Sequence, residues 1–328
     1  MSKASAKAAL ELIPAFDIVR ITEAAAVAAA RLRGRGDEAA ADEAAAMAMY
    51  RELMQLPCAG TVVVGEGEQG EIPHLYIGET IGARGADAPV ELAVDPIEGS
   101  TLCAKALPNA LAVIAVAEPG SFLKVPDIYM DKIAIGPGFE DGLVDLDASP
   151  KENLERLAKA KGVNISEITA CILDRPRHGR LIEAVRKAGA AIRLIGDGDI
   201  AGVIHTTEPQ DTGIDIYMGV GGAPEGVLAA AALSCIGGQM QGRLMAANEE
   251  QRERAAAAGI KDFERKYSIA DMVSGEVRFA ATGITDGSLL EGVRFTNDLI
   301  STHTVTMRSR PRTTRWIRTE HRDISKFA

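Results

Sequence analysis

Apolar and polar positions alternate along the chain in a way that predicts a mixed α/β protein. Two alanine-rich stretches near the N-terminus, 17–32 and 38–56, consist mainly of strong helix formers, so each predicts a helix. Short apolar runs predict strands that begin at Thr61, His74, Val90 and Ala110. Glycine, proline and acidic residues bound these runs, which is typical of strands that end in turns.

The second half of the sequence has a different pattern of predicted helices and strands. The stretch 136–150 is rich in Gly, Pro and Asp and predicts a surface loop. From Lys151 onward predicted helices and strands alternate, which favours a mostly parallel sheet covered by helices. A chain of 328 residues has room for about two domains. We therefore predict an N-terminal half, 1–150, and a C-terminal α/β half, 151–328, with one continuous domain as the alternative.

Charge and cysteine content narrow the class of protein. Forty-six acidic residues against 36 basic ones give a net charge of −10, which disfavours nucleic acid and anionic membranes as partners. The four cysteines are scattered and form no CxxC pair, so neither a zinc site nor a disulfide framework is predicted. No apolar run reaches membrane-spanning length, and the N-terminus lacks the apolar core of a signal peptide. The sequence predicts a cytoplasmic protein.

The segment 65–70 reads Gly-Glu-Gly-Glu-Gln-Gly and matches a dinucleotide-binding fingerprint literally. Its two carboxylates would repel a pyrophosphate, and the proline-containing segment after it predicts a strand rather than the helix that binds the anion. We therefore interpret it as a loop in which glycines let the backbone turn tightly and present Glu66. The alternative is that Glu66 and Glu68 are solvated turn residues.

The segment 95–101 carries the strongest chemical signal. A predicted strand ends at Asp95, Pro96 stops the ladder, and Glu98 follows three residues after the first acid. Ser100 adds a hydroxyl group, and Mg²⁺ in proteins prefers a few carboxylates together with phosphate oxygens of the substrate. The alternative is an acidic turn whose carboxylates only cap backbone N–H groups.

This segment resembles D-P-[IL]-[DE]-G-[ST], the signature of the lithium-sensitive, metal-dependent phosphatases that include inositol monophosphatases and fructose-1,6-bisphosphatases. Further motifs occur in the order VVVGEGEQGEIPHLYIGE, LAVDPIEGS, NALAVIAVAEPGSFLKVPDIYMDK, RPRH, GDGD, GGAPEG and ATGITDGSLLEG. With them the chain is similar to class II fructose-1,6-bisphosphatases, the bacterial type, of which some members also use sedoheptulose 1,7-bisphosphate. The similarity runs from about Phe16 to about Arg318.

The resemblance implies a layered α/β/α/β/α sandwich of the sugar phosphatase and inositol monophosphatase type. It also implies Mg²⁺ or Mn²⁺ as cofactor, a sugar bisphosphate as substrate, hydrolysis of the 1-phosphate by metal-activated water, and a homodimer or homotetramer. The implied metal ligands are Asp42, Glu66, Asp95, Glu98 and Glu225. Carboxylates from distant positions can converge on two or more divalent ions that clamp the attacking and leaving oxygens.

Roles in catalysis and substrate binding are implied in the same way. The implied catalytic residues are Asp95, Glu98 and Ser100, with Ser100 orienting the attacking water. The implied substrate contacts are Glu98, Gly99, Ser100, Tyr129, Arg175, Pro176, Arg177, Asp197, Gly198, Asp199 and Gly222. Arginine suits the non-scissile phosphate because its guanidinium group binds phosphate with two hydrogen bonds, and ionised aspartate suits sugar hydroxyls because it accepts hydrogen bonds from them.

The chain departs from the usual family pattern at three places. Glu38 stands where relatives carry Lys, Gly70 where many carry Asp, and Ser100-Thr101 where Thr-Arg is common. These changes leave two alternatives open, a phosphatase for sedoheptulose 1,7-bisphosphate or an inositol phosphate, and a catalytically weakened regulatory protein that binds sugar phosphates.

The C-terminal segment is rich in arginine, and the alternate spacing of these residues predicts a solvated strand face. An effector pocket or a subunit contact is the rival interpretation. The single tryptophan, Trp316, is predicted to be a packing residue.

Overall fold

The computed structural model describes residues 10–327 and shows a mixed α/β protein with two β-sheets and helices beside each. This confirms the predicted fold class. The described chain divides into two compact units: the first joins the chain up to Phe122 to the chain from Ser274 onward, and the second is Leu123–Val273. The predicted halves, 1–150 and 151–328, have different bounds from these two compact units and stay a prediction.

Each of the two units contains both helices and strands, whose residue ranges are as follows. Those of the first unit are α1 (Ala15–Ala30), α2 (Glu38–Leu53), β1 (Ala59–Val64), β2 (Thr80–Ile81), β3 (Pro89–Glu98), α3 (Ser100–Ala104), β4 (Leu111–Ala117), β11 (Val277–Gly283), β12 (Arg294–Phe295), β13 (Ile300–Ser309) and β14 (Arg312–His321). Those of the second are β5 (Tyr129–Ile135), α4 (Pro150–Lys161), β6 (Thr169–Leu173), α5 (Gly179–Ala188), β7 (Ala191–Ile195), α6 (Asp199–His205), α7 (Pro209–Thr212), β8 (Ile216–Gly222), α8 (Ala223–Ile236), β9 (Gln239–Met245), α9 (Glu249–Ala257), β10 (Tyr267–Ser268) and α10 (Ile269–Met272).

The sheet of the first unit has the strand order β12-β13-β11-β4-β3-β1-β2, with β14 on the other side of β13. β1 and β3 are parallel, and the remaining neighbours are antiparallel. Strands β4 and β11 are buried along their whole length, as expected for continuous apolar runs in the centre of a sheet. The two predicted N-terminal helices are confirmed as α1 and α2, which pack against each other.

Polar side chains also link α1 to the sheet. The hydroxyl group of Thr282 lies 2.7 Å from those of Thr22 and Thr304, and all three residues are buried. Nearby, the Thr302 hydroxyl donates to the Glu23 carboxylate at 2.8 Å. Because these buried polar groups find partners in one another, the helix is fixed to the sheet without a penalty for lost water contacts.

The sheet of the second unit has the order β10-β9-β5-β8-β6-β7. β6 is parallel to both of its neighbours, β7 and β8, whereas β5 is antiparallel to both β8 and β9. The prediction of a mostly parallel sheet was therefore wrong. Strands β8 and β9 are joined through α8 as in a parallel unit, but β5 lies between them and runs the other way. The residue pattern of a strand does not encode its direction.

The predicted strand that begins at His74 was also wrong, because this segment forms turns and the strand β2 is only Thr80–Ile81. The segment folds back on the glutamate loop, where the Leu75 carbonyl accepts from the Glu66 N–H at 3.1 Å. A Cβ at Gly65 would lie 2.1 Å from that carbonyl oxygen, so only glycine permits this approach.

Two further features bear on the sequence-based expectations. Among residues 10–327 no helix is both long enough and apolar enough to cross a membrane. Trp316, which is predicted to be a packing residue, lies on β14 with 45% of its surface exposed. The strand lies at the edge of the first sheet, where one side of the backbone has no neighbouring strand in the described chain.

We expect a pH-dependent loss of stability that originates in His205. This residue is buried on α6, and burial, with a smaller contribution from Arg193, lowers its pKa from 6.5 to about 4. The unfolded chain therefore binds the proton more readily, so the stabilisation is complete above pH 6.5 and is lost as the pH falls towards 4. At pH 5 this single group should lower the free energy of unfolding by about 2 kcal/mol relative to pH 7.5.

Urea unfolding at both pH values, for the wild-type protein and for His205→Gln, measures this effect. The difference between the two proteins removes the contribution of all other titrating groups. The same pH dependence in both would show that His205 does not titrate as described.

Candidate functional site

The first unit brings three of the predicted acidic residues to one edge of its sheet. β1 and β3 are parallel, with Val64 opposite Ala93, so the chain leaves both strands at the same edge. Glu66 follows the end of β1. Asp95 and Glu98 are among the last four residues of β3. Glu66 is exposed, Asp95 half-buried and Glu98 buried. Functional groups are commonly found where parallel strands end.

The turn between β3 and α3 depends on Gly99. This residue has a φ of +88°, which glycine adopts without strain, and it directly precedes the first residue of α3, Ser100. The pairing of β3 with β4 shifts register between Asp95 and Glu98, so the strand is irregular just where the two acids stand. Sheet irregularities of this kind re-aim side chains beside functional sites.

Asp42 and Ser100 are brought together although 58 residues separate them. The Ser100 hydroxyl donates to Oδ1 of Asp42 at 2.6 Å. The turn before α2 fixes this arrangement, because the N–H groups of Gly34 and Gly36 donate to carbonyls at the end of α3 at 3.0 and 2.9 Å. This hydrogen bond connects α2, which carries the predicted metal ligand Asp42, to the predicted catalytic serine. It does not test whether Asp42 binds a metal ion.

Two of the departures from the family pattern fit their local backbone. Glu38 is the exposed first residue of α2, where the partial positive charge of the helix N-terminus favours an acidic side chain. Gly70 is exposed and has a φ of +94°, a conformation that an aspartate adopts with strain. Both residues are therefore compatible with a folded, intact glutamate loop and helix.

In the second unit a buried lysine that sequence reasoning missed organises the predicted sugar-binding residues. Lys132 on β5 is 1% exposed, forms an ion pair with Asp199, and donates to the Gly222 carbonyl at 2.8 Å. The signal was a pair of charged residues, Asp131 and Lys132, inside a mainly apolar strand. A buried lysine needs a carboxylate partner, which the pattern alone does not identify.

Glu225 lies beside this cluster at the start of α8. Its Oε2 atom is buried and has no hydrogen-bond partner among residues 10–327. Burial, with a smaller contribution from the charge of Asp199, raises the pKa of Glu225 to about 7, and the charge of Lys132 opposes this rise. Two glycines make the room, since a Cβ at Gly222 would lie 1.8 Å from Glu225 Oε2 and one at Gly221 2.0 Å from Asp199 Oδ2.

The segment 175–177, which is predicted to bind the non-scissile phosphate, is fixed in place by the side chains of Arg177 and His178. Arg177 donates from Nε and Nη2 to the Val220 carbonyl at 3.0 and 2.8 Å, and its guanidinium group lies 4.9 Å from the centre of the Tyr129 ring. His178, which sequence reasoning also missed, donates from Nδ1 to the Leu173 carbonyl at 2.7 Å and accepts at Nε2 from the Val220 N–H at 2.8 Å. These bonds require the neutral ring, and burial lowers the pKa of His178 accordingly.

The remaining predicted contacts of the second unit lie close together. Arg175 forms an ion pair with Asp197 at 3.8 Å, and both side chains are about one-third exposed. Gly198, with a φ of +85°, turns the chain into α6, which begins at Asp199. Pro176 is the exposed first residue of the 3₁₀ turn 176–178. The structure therefore brings the arginine and aspartate segments of this unit together, as the resemblance implies.

The acidic residues fit a divalent cation in their donor chemistry. All five candidates offer carboxylate oxygens, which Mg²⁺ prefers, and the buried Oε2 of Glu225 lacks a hydrogen bond. Within residues 10–327, no group of three or more His, Cys, Asp or Glu side chains is arranged so that it could hold a metal ion. The ligand set therefore stays a prediction.

Comparison with known proteins identifies the class to which these elements belong. The family model described as bacterial fructose-1,6-bisphosphatase, glpX-encoded, matches residues 13–321. The chain is 43% identical over 321 residues to fructose-1,6-bisphosphatase 1 class 2 of Escherichia coli (strain K12), with 94% of each chain covered. It is 41% identical over 330 residues to D-fructose 1,6-bisphosphatase class 2/sedoheptulose 1,7-bisphosphatase of Synechococcus sp. (strain JA-3-3Ab), with 93% of this chain and 94% of that protein covered.

The chain belongs to the bacterial fructose-1,6-bisphosphatase family of class 2, which confirms the resemblance based on its motifs. Membership of this family implies a dependence on divalent metal ions. Among solved structures, the crystal structure of the extragenic suppressor protein suhB from Bartonella henselae matches 58% of this chain and 71% of its own, with 16% identity and a TM-score of 0.33. That likeness is too weak to carry an argument about the fold.

We expect the Lys132–Asp199 pair to show strong energetic coupling. Lys132→Met leaves the Asp199 carboxylate buried without a cation, so it should lower the free energy of unfolding by about 3 kcal/mol or more. Lys132→Met combined with Asp199→Leu removes both charges and should recover most of that loss. Urea unfolding of the two single variants and the double variant measures the coupling. Costs that simply add would show that the pair is not coupled.

Proposed function

We propose that this protein hydrolyses the 1-phosphate of fructose 1,6-bisphosphate and releases fructose 6-phosphate and inorganic phosphate. The observation that carries this assignment is the family match over residues 13–321, together with relatives of that name at 41 and 43% identity over nearly the whole chain. The parallel edge of β1 and β3, with its acidic residues, supplies the groups that a metal-dependent phosphatase needs.

We assign Mg²⁺ or Mn²⁺ as the cofactor and the following ligands: Asp42, Glu66, Asp95, Glu98 and Glu225. Their oxygen donors and the hydrogen-bonding capacity left at Glu225 Oε2 support this assignment. When bound, such ions neutralise phosphate charge and lower the pKa of a bound water. Arg and Lys residues are scarce relative to acids in this chain, so a phosphate dianion needs this help.

Ser100 and Asp42 then have complementary roles. The Ser100 hydroxyl donates to Asp42, which leaves the lone pairs of its oxygen to accept a hydrogen bond from the attacking water. Asp42, one of the carboxylates beside it, is placed to accept the proton that the water loses. Glu98 and Gly99 stand at the same turn and border the scissile phosphate.

The second unit binds the rest of the substrate. Arg175 and Arg177 contact the non-scissile phosphate, Tyr129 packs beside it, and the loop 197–199 with the Gly222 backbone binds the sugar hydroxyls. The support is that Arg177 lies against Tyr129, Arg175 pairs with Asp197, and Lys132 holds Asp199 and Gly222. Arg177 has to exchange its bond to the Val220 carbonyl for the phosphate.

A second substrate, sedoheptulose 1,7-bisphosphate, is favoured by the name of the Synechococcus relative. An inositol phosphate, or sugar-phosphate binding without turnover, would be the outcome if the departures at Glu38, Gly70 and Thr101 have changed the site. We further assign a cytoplasmic location and no nucleic-acid partner, as the sequence predicts, and a homodimer or homotetramer, as the family resemblance implies.

Phosphate release from a panel of esters tests this function. With Mn²⁺ or Mg²⁺ we expect kcat/KM for fructose 1,6-bisphosphate to exceed that for inositol monophosphate at least 100-fold, and EDTA to abolish turnover. Sedoheptulose 1,7-bisphosphate is included as the second candidate. Equal rates on all esters would reject the sugar bisphosphate assignment.

Asp95→Asn is the matched control, because it keeps the shape of the side chain and removes the charge. It should lower kcat at least 100-fold without loss of folded structure in circular dichroism. Tight binding of fructose 1,6-bisphosphate in calorimetry, without phosphate release under excess Mn²⁺, would instead favour the regulatory alternative.

We expect the Ser100 hydroxyl to be required for turnover rather than for substrate binding. Ser100→Ala loses the group that bonds to Asp42 and orients the water, so kcat should fall about 100-fold while KM changes little. Ser100→Thr keeps the hydroxyl and should retain most of the activity. Steady-state kinetics at saturating Mn²⁺ measures both variants, and an alanine variant within threefold of the wild type would exclude this role.

A further inference from the structure

The outer edge of β14 is a long and regular strand edge. All ten residues of β14 pair with β13, from Arg312 opposite Ser309 to His321 opposite Ile300, without a bulge. Within residues 10–327 no strand pairs with its other side. Such an edge offers a row of backbone N–H and C=O groups to another strand unless it is short, bulged or interrupted by proline. None of these three devices occurs between 312 and 321.

We propose that β14 pairs antiparallel with β14 of a second copy of this chain, about a twofold axis at Trp316. In that register Trp316 lies opposite the partner's Trp316, and Arg315 opposite the partner's Ile317. Residues directly opposite each other in an antiparallel pair bring their side chains into contact on one face of the sheet.

Trp316 is the observation that points to a partner of this shape. It is the only tryptophan of the chain, it stands in the middle of the edge strand, and 45% of it is exposed. Cross-strand aromatic pairs stabilise sheets, and tryptophan is enriched at protein interfaces. A twofold axis buries this side chain from both copies in one step.

The charges of β14 select this register over its neighbours. With Trp316 at the axis, Arg312 lies opposite the partner's Glu320, and this attraction occurs twice. A shift of two residues one way sets Arg315 against the partner's Arg315, and the other way sets Arg312 against the partner's Arg322. Of the remaining cations, Arg318 is already neutralised by Glu291 at 2.6 Å. The rival interpretation is that the arginines keep edge strands apart.

The intrinsic fluorescence of the full-length wild-type protein tests the pairing directly, because all tryptophan emission comes from Trp316. We expect sedimentation velocity to show reversible association, with an emission shift to shorter wavelength and reduced acrylamide quenching over the same concentration range. Association without any change in emission or quenching would place the interface elsewhere and overturn the inference. A protein that stays monomeric at all concentrations would overturn it as well.

Charge reversal tests the register. Arg312→Glu places two carboxylates together at both ends of the strand pair and should raise the dissociation constant at least tenfold. The exchange Arg312→Glu with Glu320→Arg restores the attraction and should return the dissociation constant to within threefold of the wild-type value. Lys151→Glu is the matched control, since it makes the same change in net charge at an exposed position on α4.

Circular dichroism verifies the fold of each variant. If Arg312→Glu has no effect, or if the exchange variant does not recover, the register is wrong. If Arg312→Glu does not fold, the wild-type fluorescence and quenching still decide. This inference specifies the interface of the homo-oligomer assigned above. Its tests do not depend on enzymatic activity, so a failure of the strand pairing and a failure of the phosphatase assignment are distinguishable.

Discussion

β1 and β3 run parallel and side by side, and therefore the chain leaves both strands at the same edge of the first sheet. The rest of the candidate site depends on this constraint. It sets the glutamate loop beside the turn of Asp95 and Glu98, and α3, which continues from that turn, carries the serine that contacts Asp42. Side chains alternate along a strand, so a slip of one residue between β1 and β3 would turn the acids to the other face.

The second unit meets a different physical problem, which is how to keep several charges out of water. Lys132, Asp199 and Glu225 share a small space, and a lone buried charge is too costly to persist. The structure balances one cation against two acids and clears the space by leaving side chains off Gly221 and Gly222. The balance leaves Glu225 only partly compensated, which is why its pKa lies near neutrality and why a cation is a suitable companion for it.

The pattern of apolar and polar residues was enough to predict helices and strands whose structure depends mainly on their own residues. The alanine-rich helices and the apolar strands β3 and β4 appear where the pattern predicts them. Elements fixed by distant partners were not predictable. The segment at His74 forms turns because it folds onto Gly65, and the direction of β5 follows from its place between two other strands.

The candidate site shows the same difference between features that depend on local sequence and features that depend on distant contacts. The positions of its acids came from motifs, but nothing in the motifs shows that the Ser100 hydroxyl bonds to Asp42. Lys132 and His178 were missed because their importance lies in the groups they contact, a carboxylate and two backbone atoms from other elements. The large exposed fraction of Trp316 was also not predictable, because it depends on β14 having only one neighbouring strand in the described chain.

Along the chain, the second unit is inserted between two strands of the first unit that pair with each other. β4 and β11 are antiparallel neighbours, with Ala117 opposite Val277, and the chain of the second unit returns on itself where the Leu123 N–H donates to the Met272 carbonyl at 2.8 Å. In topology the whole of 123–273 is thus the loop of a β-hairpin. Such a loop can be lengthened, recoded or exchanged without rethreading the sheet that precedes it. The residues of 123–273 can therefore vary in sequence and length while the sheet of the first unit keeps its acidic edge.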